Sequence, residues 1–263
     1  MTDSEHASTD SSQSAPTGGG GDLPVAELLA DVWGSIAELC RGLDDEEWAR
    51  PTACPGWSVQ DQLSHLVGPE AAFLGHPQPK PLAVAPPYVR NEFGNANEAA
   101  VAWRRTWPPA EVLAEFVSVT EQRLDDLRAL TGEDLDEDSW TPTGPGKYRD
   151  LLAIRVFDAW VHEQDIRVAV GRPGHLGGPV AAHALGRCFL AMPYIVGKKA
   201  AAPEGAVVDF VVEGPTSGSL RVKVEGGRAR AAAEPAGGEG ASVRVVAEFE
   251  AFTRLCCGRI TPD

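Results

Sequence analysis

Basic side chains are few in this chain. Across 263 residues, 23 Lys and Arg stand against 38 Asp and Glu, a formal charge of −15. That deficit excludes a nucleic-acid binder, which needs clustered Lys and Arg along a phosphate backbone. It leaves small-molecule chemistry, or plain solubility, as the meaning of the charge. No stretch approaches the ~18 or more apolar residues of a membrane span. No basic segment followed by an apolar core opens the chain, so no secretory signal and no membrane partner are expected, and the expected location is cytoplasmic. The five cysteines (Cys40, Cys54, Cys188, Cys256, Cys257) are odd in number and lack zinc-type spacing. They read as scattered reduced thiols, with adjacent Cys256 and Cys257 as buried filler and Cys54, before a Pro-Gly turn, near a pocket mouth. Phosphate and nucleophile fingerprints are missing too: there is no Walker loop, no GxGxxG and no GxSxG. The HEQD that starts at His162 lacks the second histidine of the metalloprotease HExxH motif.

What the chain does have is a globular composition, 43% hydrophobic with seven Trp, and length enough for a large core. Residues 1–21 are a Ser/Thr/Gly-rich tail that carries His6. Apolar spacing predicts a helix over Leu23–Leu43 and, after the CPGW turn and a Ser58–Asp61 capping box, a second over Val59–Leu74. A Pro-rich loop at Gly75–Pro87 precedes a third helix, Asn91–Thr106, continued or restarted over Pro109–Leu130. Thr131–Lys147 reads as a loop. A fourth helix, Tyr148–Val170, is stopped by Gly171 and Pro173. Four helices over ~150 residues suggest a bundle, a fold that builds sites from inward-facing side chains. Beyond Gly171 come a helix (Val180–Ile195), four short alternating runs (Val207–Glu213, Ser219–Val224, Ala229–Ala233, Ser242–Ala247) and a closing helix, Ala251–Cys257. The expected fold class is therefore α+β with two domains, a bundle over 22–172 and a small α+β domain over 178–263.

The segment LLAIRVFDAWVHEQDIR, Leu151–Arg167, is the most informative. From Leu151 to Val161 its only charged side chains are Arg155 and Asp158, which marks a helix buried nearly all round. Asp158 and His162, four apart, share a face. A carboxylate buried there needs a partner, so the chain either hides an Asp–His couple or builds a metal site. Of the six histidines, His76 lies in the Pro-rich loop, His175 in the linker and His183 on a second-domain helix. His65 and His162 are the two on bundle helices, and with Asp158 they give two imidazoles and a carboxylate. Three such ligands with an open fourth position suit a catalytic divalent ion, zinc first. A hydrogen-bonded structural couple stays open beside this reading. Asp165 shares the face of Asp158 and His162, with Arg155 or Arg167 as its expected ion-pair partner, and Glu163 points elsewhere. Trp103 and Trp107, at helical spacing, read as core packing.

Together, CPGWSVQDQLSHLVGPE and RVFDAWVHEQDIRVAVGRP resemble the actinobacterial maleylpyruvate isomerase family, mycothiol-dependent enzymes with a DinB-like metal-binding four-helix bundle. The pieces DFVVEGP, VKVEGG and LCCGRITPD are similar to the small sterol-carrier-like domain that follows in that family. The resemblance implies a divalent metal, Zn2+ in the first instance, held by His65, Asp158 and His162, with Asp158 standing where the family has Glu. It implies Arg259 as the catalytic arginine of the C-terminal domain, orienting a substrate carboxylate. It further implies mycothiol or another low-molecular-weight thiol as cosubstrate and a small electrophile as substrate, in a monomer or small homo-oligomer. The metal would lower the thiol pKa, and the thiolate would isomerise a double bond or be transferred. A non-catalytic binding module and a metal-dependent hydrolase on the same bundle are the alternatives.

Overall fold

A computed structural model describes residues 24–237 and 240–261; the expected tail at 1–21, with His6, lies outside the described residues. Helix α1 (Val25–Arg41) buries Leu28, Leu29, Val32, Trp33, Ile36 and Leu39 at helical spacing. One turn, α2 (Asp45–Trp48), opens with a capping box in which Asp44 and Glu47 satisfy each other's backbone N–H groups. The expected Ser58–Asp61 box starts α3 (Val59–Phe73). Helix α4 (Glu92–Arg104) stops before Pro108–Pro109, and α5 (Pro109–Ala129) restarts there with Pro109 in its first turn. Helices α1, α3, α5 and α7 (Tyr148–Val170) pack as the four-helix core, and α4 lies against α3. Gly171 ends α7 in the left-handed conformation, φ +69°, the usual helix stop.

The stretch Thr131–Lys147 is more ordered than the loop expected of it. Thr131 and Asp134 form a capping box that opens α6 (Gly132–Leu135). Next, β1 (Asp138–Thr141) pairs antiparallel with β2 (Gly144–Lys147). Its Gly and Pro residues signal a turn equally well in a loop or a hairpin. The hydroxyl of Thr141, donating to the Gly144 carbonyl at 2.7 Å, decides for the hairpin.

After α7 the chain forms α8 (Gly178–Tyr194), continued by one π-helical turn over Ile195–Lys199. Strands β3 (Val207–Glu213), β4 (Gly218–Glu225), β5 (Arg228–Ala231) and β6 (Val243–Glu248) make one sheet, ordered β5-β4-β3-β6, with β6 parallel to β3. Helix α9 (Phe249–Cys256) closes the described fold. An N-terminal helical bundle is thus followed by a mixed α/β region. The central strand carries Asp209, fully buried, and the facing Arg221 of β4 satisfies it through two hydrogen bonds of 2.7 and 2.9 Å.

Among the described helices only Gly178–Lys199 is long and apolar enough to cross a membrane, with mean hydropathy 1.3. Its apolar residues have another use. Val180, Ala181, Ala184, Leu185, Cys188, Phe189, Met192 and Val196 are buried where α8 meets α7, α9 and the sheet. The apolar core is continuous from bundle to sheet. At the seam Phe249 packs on Trp160 of α7, ring centroids 5.5 Å apart, and the Trp160 indole N–H donates to the His175 carbonyl at 2.9 Å. Replacing fully buried Phe249 with Ala should cost about 3–5 kcal/mol. Urea unfolding should show one transition at a lower midpoint; an unchanged midpoint would contradict a shared core.

Candidate metal centre

Helix α7 presents Asp158 and His162 on one face, one turn apart, and α3 brings His65 to meet them. His65 Nε2 lies 3.3 Å from Asp158 Oδ2, and His162 Nε2 lies 3.4 Å from Asp158 Oδ1. The imidazole centroids are 4.6 Å apart. Charge-assisted hydrogen bonds between such groups normally close to about 2.7–2.9 Å. Separations of 3.3–3.4 Å instead match the edge of a tetrahedron of N and O ligands about 2.0–2.1 Å from a shared divalent ion. Donor chemistry and spacing both fit such an ion, and the three side chains form one of two described clusters able to hold one. The rings are buried while the Asp158 side chain is partly exposed.

The carboxylate is itself anchored. Arg155, one turn before it, donates to Asp158 Oδ2 at 2.6 Å and to Glu70 Oε1 at 2.8 Å. The other oxygen of Glu70 accepts from Arg123 of α5 at 3.2 Å. Glu70 is 1% exposed, and two guanidiniums make that burial tolerable. This chain of charges crosses three helices and fixes Asp158 from behind.

His162 is oriented through its other nitrogen. Its Nδ1 contacts Gln62 Oε1, and the Gln62 amide donates to Thr52 Oγ1, so Gln62 offers His162 an acceptor. Nδ1 therefore carries a hydrogen, and Nε2, which faces Asp158, is the nitrogen free to bind an ion once it gives up its own proton. Asp165 Oδ2 lies 3.5 Å from the same Nδ1. Asp165 also accepts from Arg259 at 2.9 Å on Oδ1 and 2.8 Å on Oδ2, and from the Cys54 thiol at 3.4 Å. Cys54, His162 and Asp165 make the second cluster able to hold an ion. There, however, an ion would have to displace the guanidinium of Arg259.

Trp57 of the CPGW turn covers both imidazoles, at 5.1 Å from His65 and 6.0 Å from His162. A buried carboxylate holds it there: the Trp57 indole N–H donates to Glu98 Oε2 at 2.8 Å, and Tyr88 and Arg105 donate to Oε1 at 3.0 and 2.8 Å. Gly56 has φ +78°, and a Cβ on it would fall 2.5 Å from the Tyr88 ring. Only glycine fits that turn.

Protonation divides unevenly across the site. Partial burial works against the Asp158 charge, but Arg155 and the imidazoles outweigh it and hold Asp158 well below the usual carboxylate range. Burial pushes His65 down, with Asp158 only partly offsetting it. Burial also opposes a charge on His162, yet Asp158, Asp165 and Cys54 together raise it well above the ordinary imidazole value. One carboxylate between two rings shares a single proton, and His162 keeps it because it faces a second carboxylate.

The structure brings His65, Asp158 and His162 together, and it places Arg259 beside them on Asp165. Three expectations are corrected. Asp165 pairs with Arg259, while Arg155 serves Asp158 and Glu70 and Arg167 serves Glu163 at 2.8 Å. Cys256 is exposed, so it is not buried filler, whereas half-buried Cys257 packs against the core. Trp103 is 42% exposed, stacked edge-on with Trp107 at 5.3 Å and with Arg104 5.0 Å over its ring, whereas Trp107 packs against the core as expected. Glu163 points away, to Ser35, Arg167 and His175. Gln62, Glu70 and Glu98 went unnoticed in the sequence. A polar residue one turn before His65 on an inward face was the available signal for Gln62.

The fold and site define a class: helical-bundle proteins with two histidines and a carboxylate placed to coordinate a divalent ion. Residues 29–167 match the mycothiol maleylpyruvate isomerase N-terminal domain, and the chain belongs to that family. The crystal structure of the mycothiol-dependent maleylpyruvate isomerase superposes with a TM-score of 0.55 at 18% identity, covering 90% of each chain. A histidine-to-alanine mutant of that isomerase gives 0.53 at 19% identity and the same coverage. These likenesses establish a shared fold. Uncharacterized proteins from two strains of Mycobacterium tuberculosis are 27% identical over 154 residues, 56% of this chain. The match likewise spans 56% of the length of those relatives.

If Asp165 helps hold the proton on His162, Asp165→Asn should lower the His162 pKa in metal-free protein, because a neutral amide no longer favours the imidazolium. NMR titration of the imidazole reads this directly. An unmoved or raised midpoint would contradict it.

Proposed function

We propose that the protein is a divalent-metal-dependent enzyme that uses a low-molecular-weight thiol, mycothiol in the first instance, to isomerise a small electrophile or transfer the thiol to it. The observation that carries this reading is the convergence of His65 Nε2, His162 Nε2 and Asp158 at 3.3–3.4 Å under Trp57, in a member of this family. The ion, when bound, supplies the Lewis acidity that turns a thiol into a nucleophile at neutral pH. Zinc suits the donor set of two imidazoles and a carboxylate.

The side chains of the chain do the rest. His65 and His162 present Nε2 lone pairs, and Gln62 keeps the His162 proton on Nδ1. Arg155 and Glu70 keep Asp158 ionised and pointed at the rings, at one methylene less than the Glu of the family. Trp57 shields the imidazoles from water and leaves the Asp158 side for the thiol. Arg259 has its Nε–Nη2 edge committed to Asp165, so we assign it a positioning role on His162 in place of the expected clamp on a substrate carboxylate. In this reading residues 22–172 form the metal-holding unit and 178–263 a sterol-carrier-like unit that delivers Arg259.

Purified protein should hold stoichiometric zinc and consume an electrophile only with added thiol. His162→Ala should lose both zinc and turnover, the latter by about 100-fold or more. Full activity in a metal-free variant would overturn the proposal. Turnover without thiol would favour a hydrolase, and absence of metal with unchanged melting after chelation a binding module. Because metal-free His162 holds a proton, zinc binding at neutral pH should release about one proton. Calorimetry in buffers of different ionisation enthalpy measures it, and apparent affinity should fall as pH falls.

A further inference from the structure

The two edges of the four-stranded sheet are unlike. One edge is β5, four residues long with Arg228 and Arg230. The π-helical turn lies against it, so that a Cβ on Gly197 would fall 2.9 Å from the Ala229 side chain. Short length, charge and a covering element are the usual protections of an edge. The other edge is β6, VRVVAE, which carries no proline and no lysine. Its side chains are exposed apart from half-buried Ala247. Among the described residues no strand and no isolated bridge pairs with its outer side. An unprotected, valine-rich edge is a template for a further strand.

The ladder fixes which groups β6 offers outward. The Ser242 N–H donates to the Val207 carbonyl beside β3 at 2.8 Å. By alternation Arg244, Val246 and Glu248 turn their N–H and C=O toward β3, and Val243, Val245 and Ala247 turn theirs to the open side. Side chains alternate as well. Val245 stands opposite Phe210, which meets Phe252 of α9 at 6.4 Å, so Arg244, Val246 and Glu248 occupy the sheet face away from α9. Both charges there are available. Arg244 is exposed, and its ion pair is a 3.9 Å approach to Asp209, which Arg221 already satisfies. Glu248 is exposed and in no ion pair among the described residues.

We propose that β6 pairs antiparallel with β6 of a second copy of this chain, about a twofold axis at Val246, joining two sheets into one. Charge selects that occupant and that register. An axis at Arg244 faces arginine with arginine, and one at Glu248 faces glutamate with glutamate. An axis at Val245 or Ala247 leaves a charged residue against Val246. The axis at Val246 sets Arg244 of each copy opposite Glu248 of the other, in the pairs where side chains approach most closely. In the same register Val245 and Ala247 of the two copies exchange N–H···O=C bonds from their outward groups. A single segment thus supplies both charges at equal distance from the axis, as a self-complementary interface requires. The contact covers Val246, now 55% exposed. So short a ladder sits at the small end of interface sizes, and the dimer is weak. None of this depends on the metal centre.

Sedimentation equilibrium of the full chain at low salt tests this. Over roughly 10 μM to 1 mM the mean mass should climb from one chain toward two. Arg244→Glu places glutamate opposite glutamate and should weaken the dimer about 10-fold or more. Glu248→Arg should do the same, and the two reversals together should restore it. Val245→Pro removes an outward N–H while leaving the β3 ladder intact, and it should keep the chain single. It keeps the proposal falsifiable should a charge reversal beside Asp209 fail to fold. A single-chain mass at every concentration would overturn the proposal. So would a dimer indifferent to Val245→Pro or to either reversal, or a double reversal that fails to restore it. A dimer gained only when residues 1–23 are removed would give the edge to that segment and overturn it too.

Discussion

Asp158 is ionised between two imidazoles, and much of the surrounding structure exists to keep it so. A carboxylate beside buried rings would gain a proton unless positive charge reached it. Arg155 supplies that charge from one turn away, at 2.6 Å. Arg155 is itself buried; Glu70 neutralises it, and Arg123 in turn pairs with Glu70. The result is a line of alternating charges through α7, α3 and α5 that sets the spacing of the helices as well as the charge of the site. Removing one member leaves a buried charge unpaired, typically a loss of about 3–5 kcal/mol.

The opposite side of His162 is organised on the same principle with different partners. Gln62 comes from α3, Asp165 from α7 and Arg259 from beyond α9. The mixed α/β region reaches the candidate centre through the Arg259 guanidinium, and α7 is a wall that both regions share. Phe249 on Trp160 makes the apolar half of that contact and Arg259 on Asp165 the polar half. Trp57 closes the remaining face, held by Glu98, Tyr88 and Arg105 from α4 and the Pro-rich segment before it.

Much of this was legible in the sequence, for physical reasons. The bounds of α7 followed from its apolar texture and from Gly171 with Pro173, and Asp158 and His162 followed from helical spacing. His65 could be chosen because the other histidines fell in loops, the linker or the second region. What local pattern cannot reveal is a partner far along the chain. Gln62 meets His162 across 100 residues and Arg259 meets Asp165 across 94. The expected Asp165 partners, Arg155 and Arg167, were helix neighbours, and tertiary contacts claimed both. Cys256 was misjudged because an apolar run at the end of a chain reads as core, whereas α9 buries Phe249, Phe252 and Thr253 and leaves Cys256 outside.

X-ray absorption at the zinc edge, on metal-loaded protein with and without thiol, tests the central claim most directly. The account predicts a resting shell of two imidazoles and light oxygen ligands with no sulfur. Added thiol should then introduce one sulfur at about 2.3 Å. Sulfur in the resting shell would place the ion against Cys54 instead. A shell that excludes added thiol would contradict the role given to His65, Asp158 and His162.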